Sequence, residues 1–287
     1  MKSRTRSVVI HTAAAALLVW TLFPIVWVVI VSVTHHAEFA QSHISLMPSH
    51  PTLSNYFRML GSPAPGLHGD KLPPIGNGPL IMEGILNSVI VAVWVMVIGL
   101  IASVPAAYAL ARVAMRFRNG SLLTIIATRS IPPIATALPF FALYSTMNLT
   151  GTRAGLVIVH LTIVVPLLVW VGYSFFLTLP PSLEQMARVD GCSRWQAFRR
   201  IALPAARPGL MAMAVIAFLT SWDEFAFALI FTTGTPAQTF GPALSGMFFL
   251  VSIPNEVAAG LVLGLLPPMA LAVVFSRYIR RVNFVSV

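Results

Sequence analysis

Six long apolar stretches constrain this chain more than any other feature. They run over Val8–Val33, Ile85–Ala111, Leu122–Tyr144, Gly155–Phe176, Pro208–Phe231 and Val257–Phe275. A bilayer core is about 30 Å thick and an α-helix rises about 1.5 Å per residue, so each stretch is long enough to cross it. Only 9% of the 287 residues are Asp, Glu, Lys or Arg, and 57% are apolar; an average soluble domain is about 25% charged. So few charges cannot coat a water-soluble globule of this size, which excludes a soluble enzyme and a disordered chain. The pattern predicts an all-α membrane protein with six transmembrane helices, organised as a single domain over residues 1–287.

The first stretch follows Lys2, Arg4 and Arg6 and runs for 26 residues. A signal-peptide core is about 7–15 residues long, so this reads as a retained helix. The third stretch contains Arg129, Pro132, Pro133 and Pro139. It should be kinked, with neighbouring helices or water satisfying the freed carbonyls.

The net charge is +10, but the placement of the charges matters more than their sum. With the N-terminus in the cytoplasm, the inside segments carry fourteen basic residues: Lys2, Arg4, Arg6, Arg112, Arg116, Arg118, Arg188, Arg194, Arg199, Arg200, Arg207, Arg277, Arg280 and Arg281. The outside segments carry three, Arg58, Lys71 and Arg153. This bias follows the positive-inside rule and places both termini in the cytoplasm. The basic charge therefore suits a membrane-flanking role, and no nucleic-acid partner is expected. The outside segment 34–83 is rich in Gly, Pro and His and reads as an irregular loop or a small cap. Its histidines, His35, His36, His43, His50 and His68, have no spacing that sets two on one helix face, so no metal site is expected. The single cysteine, Cys192, excludes an internal disulfide.

The inside segment 179–207 reads LPPSLEQMARVDGCSRWQAFRRIALPAAR. Pro180 and Pro181 stop the fourth span. Ser182 with Gln185, and Ser193 with Gln196, each have capping-box spacing. The first box predicts a helix from Leu183 to about Val189, ended by Gly191. The second predicts a helix from Arg194 to about Ala202, ended by Pro204. Leu183, Met186 and Ala187 share one face of the first helix; Trp195, Phe198 and Ala202 share one face of the second. Two apolar faces on such a projection either dock a partner or fold back on the ends of the spans.

This segment resembles the EAA loop of bacterial ATP-binding-cassette importer permeases. That signature is a Glu-Ala-Ala run, a Gly seven residues after the Glu and an Ile-x-Leu-Pro ending. Glu184, Gly191, Ile201, Leu203 and Pro204 match it, while Gln185 and Met186 replace the two alanines. The form Ala187-x-x-Asp190-Gly191 is similar to the carbohydrate branch of maltose-transporter type. So are Asn87-Ser88 at the second span, Ala106-Ala107-Tyr108-Ala109-Leu110-Ala111-Arg112 at its end, and Trp222-Asp223-Glu224-Phe225. The resemblance implies a multi-pass subunit of a bacterial inner membrane, whose 179–207 loop is a coupling helix-turn-helix seated in a cytoplasmic ATPase. It implies coupling roles for Glu184, Ala187, Asp190, Gly191, Trp195, Phe198, Ile201, Leu203 and Pro204. It also implies a second permease chain, two nucleotide-binding ATPase subunits and an extracytoplasmic substrate-binding protein as partners.

A P-loop needs Gly-x-x-x-x-Gly-Lys. The only lysines are Lys2 and Lys71 and neither fits, so ATP and Mg would be bound by a partner. No catalytic constellation occurs, and the chain reads as a non-enzyme without a cofactor of its own. Arg129, Asp223 and Glu224 lie inside spans, where each costs roughly 2.5–3.5 kcal/mol unless it faces the bundle or water. Helix rise sets Arg129 about 12 Å and Asp223 about 22 Å from the cytoplasmic edge, too far apart in depth to pair. They line a solute pathway or hydrogen-bond neighbouring helices. Tyr144, Trp222 and Phe225 supply aromatic surface for a sugar. The expected cargo is a carbohydrate; a polyol, glycerol phosphate or polyamine would use the same machinery. An ion-coupled carrier is the rival mechanism, and it would leave the 179–207 loop without a task.

Overall fold

The computed structural model describes residues 2–39, 47–67, 69–250 and 253–279. His43, His68, Arg280 and Arg281 lie outside these ranges. The chain is nearly all helical. In order the elements are α1 (Lys2–Ser32), α2 (His36–Phe39), α3 (Ser54–Met59), β1 (Ala64–Pro65), β2 (Lys71–Leu72), α4 (Gly78–Arg112), α5 (Arg118–Ala127), α6 (Pro133–Thr146), α7 (Arg153–Thr178), α8 (Ser182–Val189), α9 (Arg194–Ala197), α10 (Leu203–Ala205), α11 (Arg207–Trp222), α12 (Ala226–Thr232), α13 (Phe240–Leu250) and α14 (Pro254–Ile279). A 3-10 turn (Thr128–Ser130) precedes α6, and a π turn (Phe198–Ala202) joins α9 to α10. The strands β1 and β2 form one two-residue antiparallel ladder.

Four helices are long and apolar enough to cross a bilayer, and two bent pairs raise the number to six. The third span is bent by 90° between Arg118–Ser130 and Pro133–Thr146. Pro132 is extended there and Pro133 opens α6, so the expected kink is present and has these prolines as its cause. The second bent pair was not expected. Arg194–Ala205 meets Arg207–Trp222 at 75°.

The fifth span departs most from expectation. Pro208–Phe231 is not one helix; α11 ends at Trp222 and α12 begins at Ala226. The Glu224 carboxylate accepts hydrogen bonds from the backbone N–H groups of Phe227 (2.9 Å) and Ala228 (3.1 Å). A side chain that takes these donors starts a new helix instead of extending the old one.

Contacts divide the chain into two units, Met1–Glu83 with Ala243–Leu266, and Gly84–Pro242 with Pro267–Val287. In the first, the 34–83 segment is more ordered than a loop. Asn55 Nδ2 donates to the carbonyls of Ser32 (2.9 Å) and Thr34 (3.0 Å), and Asn255 Nδ2 donates to Asn55 Oδ1 (3.0 Å). Arg58 pairs with the buried Glu256 at 2.8 Å and donates from Nε to the Pro73 carbonyl at 2.7 Å. A Cβ at Gly78 would come within 2.4 Å of the Met59 carbonyl oxygen, so this crossing admits only glycine.

The second unit packs α7 against α11 and α5, and α12 against α6 and α7. Its core includes Val91, Val95, Leu156, Val164, Leu168, Phe176, Met213 and Phe227. Small residues set the closest approaches, as between membrane helices generally. A Cβ at Gly172 of α7 would lie 2.9 Å from Ala107 Cβ and 3.0 Å from Met213 Cε. Asn87 and Ser88 are anchors. Asn87 Nδ2 donates to the carbonyls of Pro236 (3.0 Å) and Gln238 (2.7 Å), its Oδ1 accepts from Arg153 Nε (2.7 Å), and Ser88 Oγ accepts from Phe240 N (3.0 Å).

Candidate functional site

The 179–207 segment forms the expected pair of short helices, with two corrections. Ser182 does not cap α8. Pro181 precedes it in helical geometry, and the N–H groups of Glu184 and Gln185 bond to the Pro181 carbonyl at 3.2 and 3.1 Å. The donors that a hydroxyl would satisfy are already taken. Nor does Pro204 end the second helix. The Leu203 N–H reaches back to the Phe198 carbonyl in a π turn, and Ala206 N bonds to the Ala202 carbonyl at 2.8 Å. The wider turn makes room for the proline ring, and the helix bends one step later, at Ala206.

The other signals hold. Ser193 and Gln196 close a reciprocal capping box, with bonds of 3.2 and 2.8 Å. Gly191 sits at φ +88°, Gly191 N bonds to the Arg188 carbonyl and Cys192 N to the Ala187 carbonyl. This is the paired closure that ends a helix on a left-handed residue.

Glu184 faces inward. Its Oε2 accepts from the Tyr108 hydroxyl at 2.7 Å and its Oε1 from Arg112 Nε at 3.0 Å. Arg112 also donates to the Leu179 carbonyl at 2.6 Å. The Ala-Ala-Tyr-Ala-Leu-Ala-Arg run at the end of α4 is thus the mooring of α8. The two apolar faces divide between both of their expected fates. Ala187, Ala197, Phe198 and Ala202 are buried, with the Phe198 ring 4.6 Å from Tyr108. Met186, Val189 and Trp195 are exposed at 58%, 87% and 62%. Asp190 and Gly191 sit in the outer turn, while Ile201, Leu203 and Pro204 are half-buried beneath it.

The break in the fifth span gathers a second set of polar groups. His160 of α7 is buried, with Nδ1 2.8 Å from Ser221 Oγ and Nε2 3.1 Å from Glu224 Oε2. Nothing in the sequence singled out His160, because its partners lie about sixty residues away. Asp223 is exposed and Phe225 is 44% exposed. Trp222 stacks between Phe218 (5.8 Å) and Phe240 (6.1 Å). Tyr144 is buried against Phe231 at 5.3 Å. Arg129 is exposed in the 3-10 turn at the bend of the third span, and the two breaks do not bring it together with Asp223 in an ion pair. His35 is buried and His50 exposed. Among the described residues no three His, Cys, Asp or Glu side chains are grouped to hold a metal.

Residues 95–283 match the family described as the binding-protein-dependent transport system inner membrane component. This chain belongs to that family. As an inner membrane component it is a multi-pass membrane protein. It is 31% identical to the sulfoquinovosyl glycerol transport system permease protein SmoH of Agrobacterium fabrum, over 92% of this chain and 87% of the relative. It is 30% identical to the trehalose/maltose transport system permease protein MalG of Thermococcus litoralis, over 90% and 88%. The fold is also that of a chain in a bacterial ABC transporter that imports the acidic polysaccharide alginate, with a TM-score of 0.78 and 20% identity over 97% of this chain and 98% of that one. The moored α8–α10 element lies wholly within the family-matched region, and so does the broken fifth span.

Proposed function

We propose that this inner membrane component is a permease subunit of an ATP-driven, binding-protein-dependent carbohydrate importer. It forms part of the membrane pathway and takes its power stroke through residues 182–205. One observation carries the coupling role. Glu184 ties α8 to the end of α4, while Met186, Val189 and Trp195 stand largely exposed on the outer side. A moored lever with an apolar crest suits a protein cleft, and discrete packed states are how such levers transmit motion. The carbohydrate reading is supported by the relatives, several of which are named for sugar transport. The assembly would comprise a second permease chain, two ATPase subunits that bind ATP and Mg, and a substrate-binding protein on the opposite side.

Isolation of the chain from its native membrane tests the reading. An ATPase subunit is expected to co-purify, and Met186→Arg with Trp195→Ala is expected to release it while the permease stays folded. Proteoliposomes holding the assembly should accumulate solute only with ATP. Gradient-driven uptake by the chain alone would overturn the proposal and favour an ion-coupled carrier. A thermal-shift screen of the binding protein against sugars, polyols and glycerol phosphates identifies the cargo. Arg129→Ala with unchanged uptake and affinity would remove Arg129 from the pathway.

A further inference from the structure

A titratable cluster that the coupling element does not use lies at the gap between α11 and α12. One buried ring, His160, reaches both sides of that gap. Its Nδ1 meets Ser221 in the last turn of α11, and its Nε2 meets Glu224 just ahead of α12. The ring shares a hydrogen bond with the Ser221 hydroxyl on one side and stands in close polar contact with the Glu224 carboxylate on the other. Glu224 in turn holds the N–H groups of Phe227 and Ala228. Irregular backbone at membrane depth persists only where it is satisfied in this way or lines water.

Glu224 turns inward, and its neighbours on both sides turn out. Asp223 is exposed, and the Phe225 ring lies against the backbone of Gly241, where a Cβ would come within 3.0 Å of it. An acidic side chain exposed within a membrane-spanning segment is costly against lipid and suits a water-filled cavity. We propose that His160 is a positioning residue for the solute pathway. It clasps the break so that Asp223 and Phe225 stay turned onto a wet passage. There the carboxylate accepts hydroxyl groups of a polyhydroxylated solute, and the ring covers the solute's apolar face. The clasp stands on the geometry of His160, Ser221 and Glu224; the contact with solute rests on the importer reading.

The test uses the full chain in lipid nanodiscs with Cys192→Ser and Asp223→Cys. A charged, membrane-impermeant thiol reagent is expected to modify position 223. His160→Ala should change that rate by about fivefold or more, the size of effect expected when a clasped segment opens locally. His160→Gln, which keeps an N–H near Nε2, should restore the rate, and a role in overall folding alone would not give this rescue. Thermal unfolding of each variant identifies any that fails to fold, and Ser221→Ala then reports the same clasp from its other side. Equal rates with and without the His160 side chain, or no modification at position 223, would overturn the proposal. In the assembled importer, transported solute should slow the modification. A His160-dependent rate without such protection would overturn the solute contact. Failure of the importer reading is seen separately, as absence of ATP-dependent uptake by the unmodified assembly.

Discussion

Glu184 and Glu224 share one habit: both carboxylates point into the protein and both hold backbone geometry in place. Glu184→Gln keeps an oxygen for Tyr108 but loses the charge that faces Arg112. A charged hydrogen bond of this kind is worth about 1.5–3 kcal/mol, so a clear drop in unfolding temperature in detergent is expected, with looser attachment of the ATPase. Arg58 makes a sharper case, because Glu256 is 2% exposed. Arg58→Ala leaves that carboxylate buried and unpaired, and should destabilise by about 3–5 kcal/mol. Arg58→Met combined with Glu256→Leu should recover most of the loss, as measured by the same melting curves. Little of this was legible in the sequence. Glu184 was marked by its motif, but its inward orientation depends on Tyr108, 76 residues earlier. Arg58 read as one charge on an outer loop, since Glu256 lies far along the chain and no periodicity links the two.

The elements were legible where local chemistry decides them. Gly191 stops α8 because it alone accepts φ +88° freely, and nothing lies within 4 Å of where a Cβ would stand. Gly191→Val should therefore cost only the backbone penalty, about 1–2 kcal/mol, while Gly191→Asn should cost less. Comparing ATPase attachment and thermal stability across the two variants checks this ordering. The capping box at Ser193 and the proline bend of the third span were readable for the same reason, as each needs only near neighbours. The fifth span was misread because an apolar run reports burial, not continuity. Asp223 and Glu224 looked like charges inside a helix, whereas Glu224 is what ends the regular backbone there. Pro204 was misread as a terminator because the π turn that accommodates it has no sequence signature of its own.

At the scale of the molecule, apolar length alone made the four long spanning helices legible; the count reaches six only with two bent pairs, and one of these joins 194–205 to α11 instead of covering the expected 208–231. The charge bias predicts that the 179–207 element faces the cytoplasm, and Cys192, the chain's single cysteine, offers a direct check. An impermeant thiol reagent should modify Cys192 in inside-out vesicles and leave it untouched in right-side-out ones. The residues that carry the broken fifth span belong to one packed unit with the moored element, and Ala206 at the 75° bend is fully buried. A buried elbow of this kind works as a bell crank. A thrust along the axis of 194–205 cannot pass straight up α11, since the two axes are close to perpendicular. At this angle most of such a thrust would be directed across the α11 axis and little of it along that axis.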